Sequence, residues 1–505
     1  MSKIPDLHKK VLAQAKSANL GKYVWECGIG PQMGYSFSVI HALAYSFVGM
    51  QTLYLATHFN PIYWNTACLI VNSGSLENSA EEEQESQPET ATKTKKVIST
   101  DYAKIARAIG SIQRAGIKIG LVNINKSQFG FIPDVENNQI LFGLKGMLHV
   151  SDDAVKAIIE NRPYTSIKDF INKVSPKKQT MISLIKGGAF DNFLDRKLAM
   201  GWYLWETCDK KSSITLQNLP ALIKYQLLPD TAESKLAFKI YEFTRYLKSK
   251  CKFDDKYYHL DSRAINFLES NNLEDYILVI DQHCLISIKE WNKVYQFYTN
   301  YFKKWINDNH ALVKDTLNKK IFKDDWDRYA SGNISSWEME VLCFYYHDHE
   351  LKNINTKKYG LINYFDLPEQ AVIESTSKWQ GREIPKYKIS KICGTCVAKN
   401  KAKSIVSLLT TEGVVEIKFS KEFFAMYDKK ISQKRPDGTK QVIETSWFDR
   451  GSMIAVQGYR RDDNFIPKKY SSTGGHLLYK IDKVYDNGDL ELRSTRLVGD
   501  TEEDE

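Results

Sequence analysis

The stretch from Gly116 to Asp191 constrains the chain most. It reads GIKIGLVNINKSQFGFIPDVENNQILFGLKGMLHVSDDAVKAIIENRPYTSIKDFINKVSPKKQTMISLIKGGAFD. A short apolar run, Ile117 to Val122, and a second strand, Gln139 to Phe142, precede two helix–turn–helix units. In the first unit Asp152 or Asp153 is placed to cap a helix whose Val155, Ile158 and Ile159 form one apolar face. In the second, Met181, Ile182, Leu184 and Ile185 repeat that face, and Gly187-Gly188 end it. Paired short helices with small residues at their turns set backbone N–H groups against a phosphate chain.

The 505 residues predict two to four domains with a sizeable core, and 43 % apolar residues is an ordinary globular content. No apolar run approaches the roughly 20 residues a bilayer demands. No charged-then-apolar leader follows Met1, so the expected location is the cytoplasm, with no membrane partner. The eight cysteines are scattered in apolar company, as reduced core thiols are. Cys393-Gly-Thr-Cys396 is a lone CxxC inside a predicted strand, without the second pair a zinc finger needs. The net charge of +9 is concentrated: Lys386 to Lys480 holds 19 Lys and Arg against 9 Asp and Glu. Positive potential confined to one segment points to a polyanion there, against the plainer reading of a solvated lysine-rich face.

Residues 1–33 hold a helical pattern (Leu7, Val11, Leu12, Ala15) ended by Gly28-Ile29-Gly30-Pro31. In residues 34–70 helical spacing puts His41, Ala44, Tyr45 and Val48 on one side, and Pro61 breaks the run. Residues 73–96 are polar and predict a flexible insertion rather than an element. A helix follows from about Thr100 to Ala115, with Tyr102, Ile105, Ala106, Ile109 and Ile112 at helical spacing.

These pieces, in this order, closely resemble the C-family DNA polymerase III alpha subunit of bacteria and phages. GIKI…NINKSQFGF, GLKGM…AVKAIIENR, SIKDF and LIKGGAFD match the end of its fingers and its tandem helix-hairpin-helix region. Gly34, Tyr35, Phe37, His41, Ala44 and Tyr45 match its late-fingers helix, so the resemblance implies a nucleotide-facing surface made of Gly34, Tyr35, Ser38, His41 and Tyr45. Where many members carry Asn-Lys-Ser, this chain has Ser38-Val39-Ile40, and Val39 cannot pair with a triphosphate. The family's Gly-x-Gly in the first hairpin is replaced by His149-Val150-Ser151, whose side chains hinder close approach of backbone to phosphate. The DNA-contacting residues expected in this region are Lys145, His149, Ser151 and Lys156 in the first hairpin. In the second, the stronger candidate, they are Lys177, Lys178, Lys186, Gly187 and Gly188.

Residues 196–336 are expected to be helical and carry no readable chemical motif. Gln296 to Phe302 and Gln217 to Leu219 are faint candidates for a sliding-clamp peptide. Trp337 to Leu351, WEMEVLCFYYHDHEL, invites a metal reading through His347, His349 and Glu350. It also resembles the family's lead-in to its nucleic-acid-binding barrel, and a structural role is preferred. From Pro385 to Tyr485, KISKICGTCVA, SIVSLLTTEGVVEIKF, SMIAVQGYR and HLLYKIDKV give about five strands. A long charged connection between the third and fourth predicts an OB-fold. Its candidate DNA-binding residues are Lys399, Lys401, Lys403, Arg460, Arg461, Lys468 and Lys469, interleaved with Tyr427, Tyr459, Phe465 and Tyr470.

The expected class is therefore α+β and multidomain, with helical fingers and hairpins followed by a small β-barrel. The expected division is 1–72 late fingers, 73–98 insertion, 99–195 hairpin region, 196–380 helical linker, 381–486 OB-fold and 487–505 acidic tail. In the family, three palm aspartates hold Mg2+ upstream of the fingers helix. The residues before Gly34 contain a single Asp, Asp6, and a single Glu, Glu26. No cofactor is expected in this chain, and Mg2+ belongs to a missing palm. Opening on Met1, the chain is expected to be one subunit of a split polymerase. Its partners are then DNA (duplex primer–template and single-stranded template), a separate palm-bearing chain and a possible sliding clamp. The alternative is a free-standing helix-hairpin-helix and OB-fold nucleic-acid-binding protein without polymerase activity.

Overall fold

A computed structural model describes residues 4–29, 39–73, 102–379, 382–434, 440–471 and 474–498. The expected positions Gly34, Tyr35 and Ser38, the insertion 74–98 and the end of the acidic tail lie outside the described residues. The chain divides into two compact units, Met1–Tyr164 with Glu338–Glu505, and Thr165–Trp337. The division thus falls inside the stretch 99–195 that the sequence reads as one domain.

In the first unit, helix α1 (Val39–His58) and helix α2 (Pro61–Ser73) are separated where Asn60 turns the chain. The Asn60 side chain accepts the Ile62 N–H at 3.0 Å, and Pro61 opens α2, where its missing N–H costs nothing. Ile62, Thr66, Leu69 and Ser73 make a buried stripe on α2, which packs on helix α3 (Tyr102–Arg114). The α1 helix behaves differently. Between His41 and His58 no side chain is buried, and Leu43, Phe47, Val48, Met50, Leu53 and Leu55 are 49–66 % exposed.

A small sheet follows: β1 (Lys118–Gly120) lies parallel to β3 (Gln139–Leu141), which pairs antiparallel with β2 (Ile132–Asp134). Helix α4 (Asp152–Glu160) comes next, with Val155 and Ile158 buried. Its cap is Ser151, whose hydroxyl accepts the Ala154 N–H, and not either aspartate as the sequence suggested. Asp152 and Asp153 occupy the first turn, where the helix dipole favours negative charge. Arg162 fastens the end of this region by donating to the carbonyls of Ile124 and Ser127.

The second unit begins with α5 (Ile167–Val174), α6 (Lys178–Lys186) and α7 (Arg196–Thr207). The long helix α8 (Ala232–Lys250) leads to a sheet that the expectation of an all-helical segment missed. Its strands β4 (Lys252–Phe253), β5 (Tyr257–His259), β6 (Leu278–Ile280) and β7 (His283–Ser287) run in the order β4-β5-β7-β6. Asp281 and Gln282 both take positive φ, 48° and 65°, and turn β6 into β7. That turn lacks the glycine that usually marks such a hairpin. Helix α9 (Ile288–Tyr329) closes the unit, its Trp291 buried with the indole N–H on the Thr244 hydroxyl at 3.0 Å.

Back in the first unit, β8 (Ile373–Trp379) and β9 (Arg382–Tyr387) form a hairpin ahead of the barrel. The barrel proper uses β10 (Ser390–Asn400), β11 (Ile405–Leu409), β12 (Val414–Lys418), β15 (Met453–Arg461) and β16 (Asn464–Pro467). They run β10-β11-β12-β16-β15 and close through β10–β15, with β12 and β16 parallel. Helix α10 (Lys421–Tyr427) and the hairpin of β13 (Ile431–Lys434) and β14 (Lys440–Glu444) fill the charged connection. This is the OB-fold the sequence predicted. One strand assignment is corrected: the fifth barrel strand is β16, whereas β17 (Leu478–Val484) extends the sheet from the other half of β15 and carries β18 (Leu490–Arg493). Gly458 makes the crossing of β15 and β16 possible, since a Cβ there would stand 2.1 Å from the Ile466 carbonyl oxygen.

Inward-facing Ile392, Val406, Leu408, Val415, Ile417, Ile454, Val456 and Phe465 fill the barrel. Its outer side is covered too. Leu409 and Val414 on β11 and β12, with Val397, pack against Ala106 of α3, Met339 and Tyr345. Arg107 of α3 pairs with Glu416, and Arg114 lies 4.9 Å over the Phe365 ring.

Candidate nucleic-acid interface

In the hairpin of α5 and α6, Ser166 caps α5 by accepting the Asp169 N–H, and Asp169 returns the bond to Thr165 N–H at 3.0 Å. Ser175 turns the chain in the left-handed region (φ 48°). Lys177 then stands at the cap of α6 with no side-chain acceptor to offer its amides. Exposed Lys177 is therefore where this hairpin presents both a charge and a helix start. The other expected residues are corrected. Lys178 reaches inward to Asp325 at 2.7 Å and over the Tyr329 ring at 4.8 Å. Lys186 is 4 % exposed, and Gly187 and Gly188 are buried. The Arg196 guanidinium donates to Asp191 at 2.8–3.0 Å and to the Lys186 carbonyl at 3.2 Å. A Cβ on Gly188 (φ 81°) would meet Arg196 Nη2 at 2.6 Å, so this glycine pair serves the turn's packing.

In the first hairpin Lys145 pairs with Asp152, and the Ser151 hydroxyl is spent on the α4 cap. His149 and Lys156 are exposed, His149 at φ 63°, a conformation a glycine takes more cheaply. On α1, the His41 and Tyr45 rings meet edge-on at 4.6 Å on the exposed helix.

The barrel cations separate into two kinds. Lys399 is drawn into the protein by Asp428 and by Asp449 at 2.8 Å, and Lys401 reaches Asp428 at 3.2 Å. Arg460 donates to the Leu367 carbonyl at 2.9 Å and lies 4.8 Å over the Tyr364 ring. Lys399 and Arg460 thus hold loops in place, contrary to their expected role. Lys403, Arg461, Lys468 and Lys469 are exposed.

The histidines of the HDHE segment go to different partners. Buried Glu338 accepts the Tyr346 and His347 N–H groups at 3.0 Å and the His347 Nδ1 at 2.7 Å. His349 Nδ1 accepts the Leu351 N–H at 3.0 Å, which leaves Nε2–H to donate to the Leu409 carbonyl at 3.1 Å. Among the described residues no group of three or more His, Cys, Asp or Glu is arranged to hold a metal. Burial pushes His349 down to about 4. Protonation would set a second donor against the Leu351 N–H. Because the folded value lies below the ordinary 6.5, the unfolded chain takes up the proton first. Stability is expected to fall as pH drops from about 6.5 towards 4. Thermal melts of the wild type and His349→Asn across that window check this: the variant should show the shallower decline.

Sequence reasoning missed the cover that α3 lays over the barrel. The amphipathic pattern of α3 was legible, but its apolar face gave no hint of which surface it meets.

Short paired helices and an OB-fold barrel on one chain define the helix-hairpin-helix and OB-fold architecture. Residues 116–199 match the family model described as a helix-hairpin-helix motif. Over 491 residues, 95 % of its length, the chain is 38 % identical to "Probable DNA polymerase YorL" of Bacillus subtilis strain 168. The same identity and extent hold for "DNA-directed DNA polymerase" of Bacillus phage SPbeta. The chain spans 37 % of the length of each. It is also 31 % identical over 169 residues to the DNA polymerase III subunit alpha of Thermus aquaticus, covering 32 % of this chain and 12 % of that protein. The resemblance to the Bacillus and SPbeta polymerases therefore extends along nearly the whole chain, and that to the alpha subunit along about a third of it. No helix among the described residues is long and apolar enough to cross a membrane.

Proposed function

We propose that this chain is the DNA-binding portion of an alpha-type DNA-directed DNA polymerase working in replication. In this reading the nucleotidyl-transfer centre and its Mg2+ lie on a separate polypeptide seated on α1. The observation that carries the polymerase reading is similarity along 95 % of the chain to polymerases of which it spans 37 %. The seating rests on α1, whose apolar side chains lie exposed from Leu43 to Leu55. A free-standing nucleic-acid binder has no use for such a helix. Neither clamp candidate supports a clamp partner: Leu219 and Phe302 are both fully buried.

The test is a primer–template duplex with deoxynucleotides and Mg2+. The chain alone is expected to shift the duplex in a gel and leave the primer unextended. Extension by the purified chain would overturn the separate-centre part of the reading, and failure to bind duplex would overturn the DNA-binding part. Lys177→Glu is expected to weaken duplex binding and reduce the salt slope by about one, the share of a single phosphate contact. Fluorescence anisotropy over a salt series measures it.

A further inference from the structure

OB-folds take single strands on the outer face of their second and third strands. In this barrel those are β11 and β12, and α3 lies on them through Leu409, Val414 and the Arg107–Glu416 pair. A second surface lies farther round, on the outward side of β15 and β16, where the foot of the β8–β9 hairpin crosses. The Tyr387 ring rests on Tyr459 with centroids 4.6 Å apart and planes 39° apart. The Tyr387 N–H donates to the Tyr470 hydroxyl at 2.9 Å. The Lys468 ammonium stands 5.7 Å from the Tyr470 ring, and the Lys468 N–H donates to the Gln457 carbonyl at 3.0 Å, which holds this segment on β15. All three tyrosines are half-buried, so their rings are set before any ligand arrives. Arg461, Lys468 and Lys469 are exposed. Of the acids in the β15–β16 turn, Asp462 accepts the Gln370 side-chain amide at 2.6 Å.

Fixed aromatic faces beside exposed cations are what a single strand needs, because stacking is sequence-tolerant and phosphates follow the charge. We propose that single-stranded nucleic acid lies across this tyrosine patch, with bases on Tyr459 and Tyr470 and phosphates on Arg461, Lys468 and Lys469. The β11–β12 face takes none while α3 is docked on it. This rests on the DNA-binding reading above and assigns the place of the single strand.

The experiment uses the full chain, a fluorescein-labelled oligothymidine of about 20 nucleotides, longer than one OB-fold site, and separately a primer–template duplex. Lys468→Glu with Lys469→Glu is expected to weaken oligothymidine binding at least about tenfold and to lower the salt slope by roughly one to two. Lys418→Glu with Lys421→Glu, on β12 and the first turn of α10, both exposed, is expected to change it less than about twofold. Bromouracil-substituted oligomer is expected to cross-link to Tyr459 or Tyr470. The reverse pattern of affinities, cross-links confined to residues 405–418, or no effect of either pair overturns the site. If wild type binds duplex in any of those cases, the polymerase reading stands and only the single-strand site falls. If wild type binds neither probe, the DNA-binding reading falls as well.

Discussion

Purified alone at micromolar concentration, the chain is expected to self-associate through α1, and Phe47→Glu with Leu53→Glu to return it to a monomer. Both side chains are more than half exposed on a helix with no buried residue from His41 to His58. Burying a Phe or Leu is worth roughly 1.5–3 kcal/mol. Losing two such contacts corresponds to about two to four orders of magnitude in association. Sedimentation velocity across a concentration series reads the effect directly. A wild-type chain that stays monomeric, with α1 amides strongly protected in hydrogen exchange, would mean that the helix already has its cover and would remove the reason for seating a second polypeptide there.

The second large effect is expected at Glu444, whose side chain is 2 % exposed. It accepts the Trp447 indole N–H at 2.9 Å, the Arg496 Nε–H at 3.0 Å, the Leu497 N–H at 3.2 Å and an Arg493 guanidinium N–H. Burial alone would raise this carboxyl, but the hydrogen bonds from Trp447, Arg493 and Arg496 outweigh it and hold the group below the usual glutamate range. Glu444→Ala leaves two guanidinium groups facing a buried gap and is expected to cost the barrel about 3–5 kcal/mol. Glu444→Gln keeps the shape but loses the charge and should fall between. With the folded value depressed, the stabilisation is complete above the ordinary glutamate value of about 4.3 and is lost as pH falls through the folded value. Hydrogen exchange on β14 and β18 reads the barrel apart from the second unit. Unchanged protection in Glu444→Ala would show that the cluster is a surface pairing of little weight.

What was legible in the sequence followed regular spacing. The apolar periods of α3, α4 and α6, the break at Pro61 and the alternation of β10, β11, β12 and β15 appear in the structure close to where they were expected. Short elements without a period escaped. The β16 strand is four residues with a proline, and β4–β7 are two to five residues joined by a turn without glycine. Charge was the least reliable guide to the candidate site. Lys178, Lys186, Lys399 and Arg460 read as phosphate contacts because lysine and arginine are usually exposed. Lys178, Lys399 and Arg460 instead meet partners elsewhere in the sequence, such as Asp325 for Lys178 and Asp428 for Lys399, and Lys186 is buried. A cation's partner is a tertiary fact, and no local pattern encodes it.

The cover of α3 on β11 and β12 also decides how this protein can be divided. A polypeptide cut to the predicted barrel, 381–486, would lose Ala106, Met339 and Tyr345 and turn Leu409, Val414 and Val397 out to water. It would lose Arg493 and Arg496 from beside Glu444 as well. The barrel is therefore not a portable module, and a fragment that recombines or is expressed with it must carry residues 102–164 from the far side of the sequence. Inheritance of the two segments is tied together, although the second unit, Thr165–Trp337, separates them along the chain.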